Sequence, residues 1–155
     1  MVDALKIRRA LAEDAPTLTG IAHEAKRHWG YPEDWIQHWQ EDLTISSAFI
    51  TNNLVYVAES ENVIVGFYAL VVGEQAELEH MWVAPEHIGT GVGKELFFHA
   101  MQTAAGDNIS AVEISADPNA EGFYQRMGAR RIGEVSADID GQTRLLPRLV
   151  VDTTS

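Results

Sequence analysis

"VAPEHIGTGVGKEL", residues 83–96, is the stretch on which the fold turns. Pro85 ends an apolar segment, glycines stand at 89, 91 and 93, and a helical pattern follows at once. Val92, Leu96, Phe97, Ala100, Met101 and Ala104 fall on one side of that helix, and Gly106 ends it. Three glycines in five residues cost backbone entropy and make poor helix, so the loop should have a use that offsets the cost. A helix start presents unpaired backbone N–H groups and the positive end of the helix dipole, a setting for phosphate. Glycine lets the backbone approach such an anion closely. A glycine-rich turn without a ligand is the plain alternative.

Two common nucleotide motifs do not fit. A P-loop needs a glycine where Ile88 stands and Ser or Thr where Glu95 stands. The dinucleotide fingerprint needs a glycine at Lys94, and it opens a parallel sheet, whereas here three antiparallel strands come first.

Upstream, residues 76–85 read as a strand, and residues 53–60 and 63–74 as a hairpin turning at 61–62. Residues 4–10 alternate and read as a first strand. Asp14 and Pro16 start a helix that runs to about His28. "WGYP" (29–32) breaks it, and a second helix is expected over 33–43. Downstream, 110–116 is a strand, 119–127 a short helix stopped by Gly128, and 129–135 and 144–151 the last strands. The order β-α-α-β-β-β-α-β-α-β-β predicts an α/β (α+β) fold. It would hold a mixed, mostly antiparallel sheet of about seven strands, about four helices on its faces, and a central β-α-β crossover.

The 155 residues suit one domain, expected over 1–151, with 152–155 a frayed tail. The chain has no cysteine, which excludes disulfides and thiolate metal sites, and no metal is expected. No signal-peptide core and no run of about 18 apolar residues is present, so a soluble, cytoplasmic protein is expected. The formal charge of −12, from 23 acidic and 11 basic residues, disfavours nucleic acid and anionic membrane and favours a cationic partner; a merely solubilising surface would look the same.

On these motifs the chain resembles the GNAT (Gcn5-related) N-acetyltransferases. Their hallmark, roughly V-x-P-x-x-[RQ]-G-x-G-[IVA]-G, reads here "VAPEHIGTGVG" (83–93). A second, N-x-x-A-x-x-F-Y-x-x-x-G-F, has a shortened counterpart in "NAEGFYQRMGA" (119–129). The element order matches along essentially the whole chain. The resemblance implies acetyl-CoA as co-substrate, with Ile88, Gly89, Thr90, Gly91, Val92, Gly93 and Lys94 around its pyrophosphate. It also implies the backbone of Met81, Trp82 and Val83 along the pantetheine arm. Asn119 suits a cap for its helix, and by resemblance it could also bond that arm; the two readings are compatible. One departure stands out. Ile88 occupies the family's Arg/Gln position and cannot make that side chain's polar interaction with the cofactor, for which His87 or Lys94 could substitute.

Acetyl transfer to an amine needs a base, because an amine of pKa near 10.4 is neutral in roughly one molecule in a few thousand at pH 7. It also needs an acid for the leaving sulfur. By resemblance, Glu79 is the candidate base and Tyr124 the candidate acid. Glu77, on the expected face of Glu79, is a further option, and His80 should point to the opposite face. Trp29, Tyr31, Trp35 and Trp39 could line the acceptor pocket for an aromatic or cationic amine, with core packing the alternative, above all for Trp35 and Trp39. Glu33, Asp34, Asp138 and Asp140 could attract that amine or be plain solvated surface. The expected acceptor is a primary amine of a small molecule. An acyl-CoA-binding module with little catalysis and a protein N-acetyltransferase are the alternatives. Homodimers are common in the family, and the last strands could supply an edge, although Pro147 argues against full pairing on both sides.

Overall fold

The computed structural model describes residues 5–139 and 141–153. The chain order is β1 (Lys6–Arg9), α1 (Ala15–His28), α2 (Glu33–His38), α3 (Gln40–Leu43), α4 (Ser47–Asn52), β2 (Leu54–Ser60), β3 (Val63–Val71), β4 (Glu77–Val83), α5 (Val92–Gly106), β5 (Ala111–Ser115), α6 (Glu121–Arg126), β6 (Arg130–Ile139) and β7 (Gln142–Asp152). One seven-stranded sheet has the order β1-β2-β3-β4-β5-β7-β6. All neighbours are antiparallel except β4 and β5.

The alternation of β2 and β3 sorts the core onto two faces. Val55, Val57, Phe67 and Ala69 pack with Leu18, Ile21 and Ala22 of α1 and with Ile50 of α4. Tyr68 and Leu70 pack instead with Val92, Leu96, Phe97 and Ala100 of α5. The 61–62 turn has φ of 52° at Glu61 and 67° at Asn62, the paired left-handed conformations of a tight hairpin.

The helical region differs from the sequence reading. The helix expected over 33–43 breaks at Trp39 into α2 and α3, and α4 is an additional element. Ser46 explains α4, because its side chain accepts from the Phe49 N–H at 3.0 Å as an N-cap. Six α-helices are thus described where about four were expected. At the C-terminus, Asp152 pairs with Ala111 and the Thr153 N–H donates to Ser110 at 3.0 Å, so the expected fraying does not begin at 152. Residues 154–155 and Asp140 lie outside the described residues. Pro147 pairs with Glu134 of β6, and on the β5 side its carbonyl accepts from the Ala116 N–H at 2.9 Å, so residues 142–146 are laddered on one side only.

Gly66 of β3 lets α5 approach the sheet closely. A Cβ there would stand 2.9 Å from the Trp82 carbonyl oxygen, 3.0 Å from Leu96 Cδ1 and 3.2 Å from Val92 Cγ1. Gly66→Ala is therefore expected to destabilise the fold by about 1–3 kcal/mol in urea unfolding, an overpacking cost. An unchanged midpoint would contradict this account of the helix–sheet contact.

Candidate active site

Strands β4 and β5 meet at one position only. Glu77 pairs with Glu113, and the Glu113 N–H donates to Ala76 at 2.9 Å. Arg148 closes that end, reaching Glu77 at 2.6 Å and Glu113 at 3.1 Å. Glu77 is thereby committed to an ion pair, which removes it as a free base. Next along β4 comes a bulge. Ala69 pairs with His80 and Leu70 with Leu78, so Glu79 has no partner across the ladder. Beyond it the two strands diverge and leave a cleft of about 470 Å³. Met81, Trp82 and Val83 wall one side, and Ile114 to Asp117 the other. The glycine loop and α6 complete it.

The bulge also resets the faces of β4. Leu78, Met81 and Val83 pack on the α5 side, whereas Trp82 packs on the α1 side. His80 lies against the rings of Phe49 and Phe67, and its Nδ1 accepts from Trp82 Nε1 at 3.1 Å. Burial pulls the His80 pKa down to about 4, against a smaller opposing pull from Asp42, so His80 is a neutral acceptor at pH 7.

Glu79 lines the cleft and has no hydrogen bond or ion pair among the described residues. Its side chain reaches solvent, yet the cleft walls desolvate part of it. That burial, and then the charge of Glu77, raise its pKa above the ordinary carboxylate value. Tyr124, 7% exposed, packs against Phe97 and Phe123 and lines the same cleft. Its hydroxyl has no protein partner among the described residues, and burial, with Asp117 adding to it, pushes its pKa up. The phenol therefore holds its proton at neutral pH.

The glycine loop has the geometry of a phosphate cradle. Gly89 and Gly91 have φ of 83° and 95°, the left-handed region that favours glycine. No heavy atom lies within 4 Å of a Cβ built at either, so the space beside them is open. Among the described residues, the N–H groups of Gly89, Gly91, Val92, Gly93 and Lys94 have no protein acceptor. Convergent free amides at the start of a fifteen-residue helix fit a pyrophosphate. Ile88, Gly89, Gly91 and Gly93 line the cleft, whereas Thr90, Val92 and Lys94 do not. Val92 is buried in the core and Lys94 Nζ lies 5.9 Å from the Phe98 ring; of the two candidates for the missing cation at 88, His87 lines the cleft and Lys94 does not.

Trp29, 39% exposed, lines the cleft. Tyr31 and Trp35 do not, which corrects the expectation for them. They stack on each other with centroids 5.9 Å apart, and Trp39 meets both edge-on. Their faces are taken by the chain's own cations. Lys26 Nζ lies 4.2 Å from the Trp39 centroid, and the Arg144 guanidinium lies 5.0 Å from Tyr31 and 5.1 Å from Trp39. At the centre is Asp117, paired with Lys26 at 2.7 Å and accepting from the Tyr31 hydroxyl at 3.0 Å. Arg144 donates to the Tyr31 oxygen at 2.8 Å. Burial works to raise the Asp117 pKa, but Lys26 and the hydrogen bonds outweigh it and hold the carboxyl below its ordinary range.

Asn119 joins this group, donating to Asp117 at 3.0 Å and to Tyr31 at 3.1 Å. It does not cap α6, whose N-cap is Ala120. Of the acidic residues considered for steering an amine, Glu33, Asp34 and Asp138 are not in the cleft lining: Glu33 pairs with Arg27 at 3.1 Å and Asp138 accepts from Thr143. Sequence reasoning missed Lys26, Asp117, Arg144 and Arg126. Asp117 carried a faint signal, standing two residues before the Asn119 of the second motif.

Residues 22–139 match the family model of the acetyltransferase (GNAT) domain. The chain therefore belongs to the GNAT N-acetyltransferases: it is an acyltransferase that uses acetyl-CoA as co-substrate. It is 29% identical over 131 residues to the 5-NmdU N-acetyltransferase of Pseudomonas phage PaMx11, covering 83% of this chain and 89% of that one. It is 27% identical over 123 residues to the peptidyl-lysine N-acetyltransferase YiaC of Escherichia coli (strain K12), covering 79% and 81%. In fold it is similar to the PaiA N-acetyltransferase of Thermoplasma acidophilum solved in complex with coenzyme A, with a TM-score of 0.75, 22% identity, and 96% and 99% of the two chains covered. Among the described residues, no helix is long and apolar enough to cross a membrane.

Asp117→Ala would strand the Lys26 charge, whose side chain is 12% exposed, and leave the Tyr31 hydroxyl without its acceptor. The expected loss is about 2–3 kcal/mol in urea unfolding, below the cost for a fully buried pair. A loss under about 0.5 kcal/mol, typical of a surface pair, would contradict the view that this cluster is structural.

Proposed function

We propose that this enzyme acetylates a primary amine of a small molecule by direct attack on the thioester. The observation that carries the reading is the pair lining one cleft: an unpartnered carboxylate of raised pKa, Glu79, and an unpartnered phenol, Tyr124. Bound acetyl-CoA supplies an activated acetyl carbonyl with a thiolate as leaving group. Glu79, directly or through a water, takes the proton that the attacking amine must lose. Tyr124 holds the proton that the departing sulfur needs. In the balance, one N–C bond forms, one C–S bond breaks, and one proton moves at each end. The five free amides of residues 89 and 91–94 would hold the pyrophosphate. The β4 edge at Met81, Trp82 and Val83 would hold the pantetheine arm.

The Asp117 cluster supports a small acceptor. It ties α1, the β5–α6 loop and β7 together beside the cleft, and such a wall suits a compact amine better than a chain running through. A peptide lysine is the second reading, favoured by the YiaC relative.

Glu79→Gln is expected to lower kcat by about 10²–10³-fold. The sign with pH follows from the raised pKa. The basic form is lost as pH falls through that value, so wild-type kcat/KM falls on acidification from a higher pH than an ordinary carboxylate would give, and this limb disappears in Glu79→Gln. Wild-type turnover in that variant would remove Glu79 from the mechanism. Tyr124→Phe should lower kcat more than it changes KM. Across polyamines, amino acids, aminoglycosides and lysine peptides, a peptide with the highest kcat/KM would overturn the small-molecule reading.

A further inference from the structure

The phosphate loop lacks the arginine or glutamine side chain of the family motif. Ile88 stands at the family's Arg/Gln position and is 44% exposed. Lys94 is turned onto Phe98. The cleft nevertheless contains a guanidinium, contributed by the other motif. Arg126, in the last turn of α6, lines the same cleft as Ile88, Gly89 and Gly91. Among the described residues it has no hydrogen bond, ion pair or ring contact, while the nearby acid Glu121 is taken by Arg131 at 3.4 Å. An arginine facing a cleft without a partner has its donors available for an anion.

Gly122 shows how the side chain is accommodated. A Cβ at Gly122 would lie 3.3 Å from Arg126 Nη1, closer than side chains normally pack. The guanidinium thus lies back along α6 over the glycine, one turn towards the start of the helix. Counted from Phe123 and Tyr124, positions 122 and 126 are ones that the second family motif leaves unspecified.

We infer that Arg126 supplies the positive charge that Ile88 cannot and binds a phosphate group of acetyl-CoA, with Gly122 clearing its path. The inference rests on acetyl-CoA use by this cleft and is independent of which amine is the acceptor. The shared chemistry is a phosphate, carried by coenzyme A both in the pyrophosphate and at the ribose 3′ position. A guanidinium suits either, with two parallel N–H donors.

The test is a calorimetric titration of the full chain with coenzyme A and with 3′-dephospho-coenzyme A. The variants are Arg126→Ala, Arg126→Gln and Arg126→Ala/Ile88→Arg. Arg126→Ala and Arg126→Gln should each weaken coenzyme A binding about tenfold, with a smaller loss at high salt. Unliganded melting temperatures should stay unchanged, because the side chain has no partner to lose. Adding Ile88→Arg should restore most of the affinity. A loss equal for both ligands places the interaction at the pyrophosphate, and a loss confined to coenzyme A places it at the 3′-phosphate; either supports the inference. Wild-type affinity for coenzyme A in both single variants overturns it and leaves the phosphate loop standing. A wild-type protein that does not bind coenzyme A overturns both.

Discussion

Everything in the cleft depends on how briefly β4 and β5 pair. One position, Glu77 with Glu113, joins them, and Arg148 clamps both carboxylates from β7. Past this point the bulge at Glu79 turns β4 aside, and the sheet opens while both strands stay bonded to their outer neighbours. An open sheet edge inside a domain leaves backbone groups unpaired, and such groups call for a partner. The proposed partner here is the pantetheine arm of acetyl-CoA. The same bulge frees Glu79 from ladder pairing and exposes it to the cleft, so one irregularity shapes the slot and presents the proposed base.

Charge is divided in a comparable way. The chain is strongly acidic, at −12, yet the cleft is lined by the glycine loop and Arg126, proposed to hold phosphate, and by Glu79, proposed to take the proton of an amine. The remaining cations near the site, Lys26 and Arg144, are spent within the protein, on Asp117 and on the faces of Tyr31, Trp35 and Trp39. Tyr31, Trp35 and Trp39 thus brace one side of the cleft, and Trp29 is the aromatic of this region that lines it.

What the sequence revealed follows the range of the interactions. The glycine loop, the hairpin before it and the helix after it are set by neighbouring residues, so their spacing could be read directly. Tyr124 was legible for the same reason, within a local motif. The bulge at Glu79 was not, because period-two alternation carries no mark of an inserted residue. Glu77 illustrates the consequence: it looked like an alternative base, but its charge is matched by an arginine seventy-one residues away. Lys26, Asp117 and Arg144 come together only once α1, the β5–α6 loop and β7 are assembled. Asn119 looked like a helix cap because its type suits one, but Asp117 and Tyr31 take its side-chain amide. The missed helix α4 did have a local signal, Ser46, hidden by the strand pattern that follows it.

The central claim is that the glycine loop and the opened sheet form the acetyl-CoA slot. Titrating acetyl-CoA calorimetrically into the wild type and into Gly91→Glu tests it most directly. At φ 95°, Gly91 borders open space that a glutamate would fill with bulk and negative charge. The account predicts saturable one-site binding by the wild type and none by a Gly91→Glu protein that keeps its native circular dichroism. Equal binding by the two proteins would contradict it.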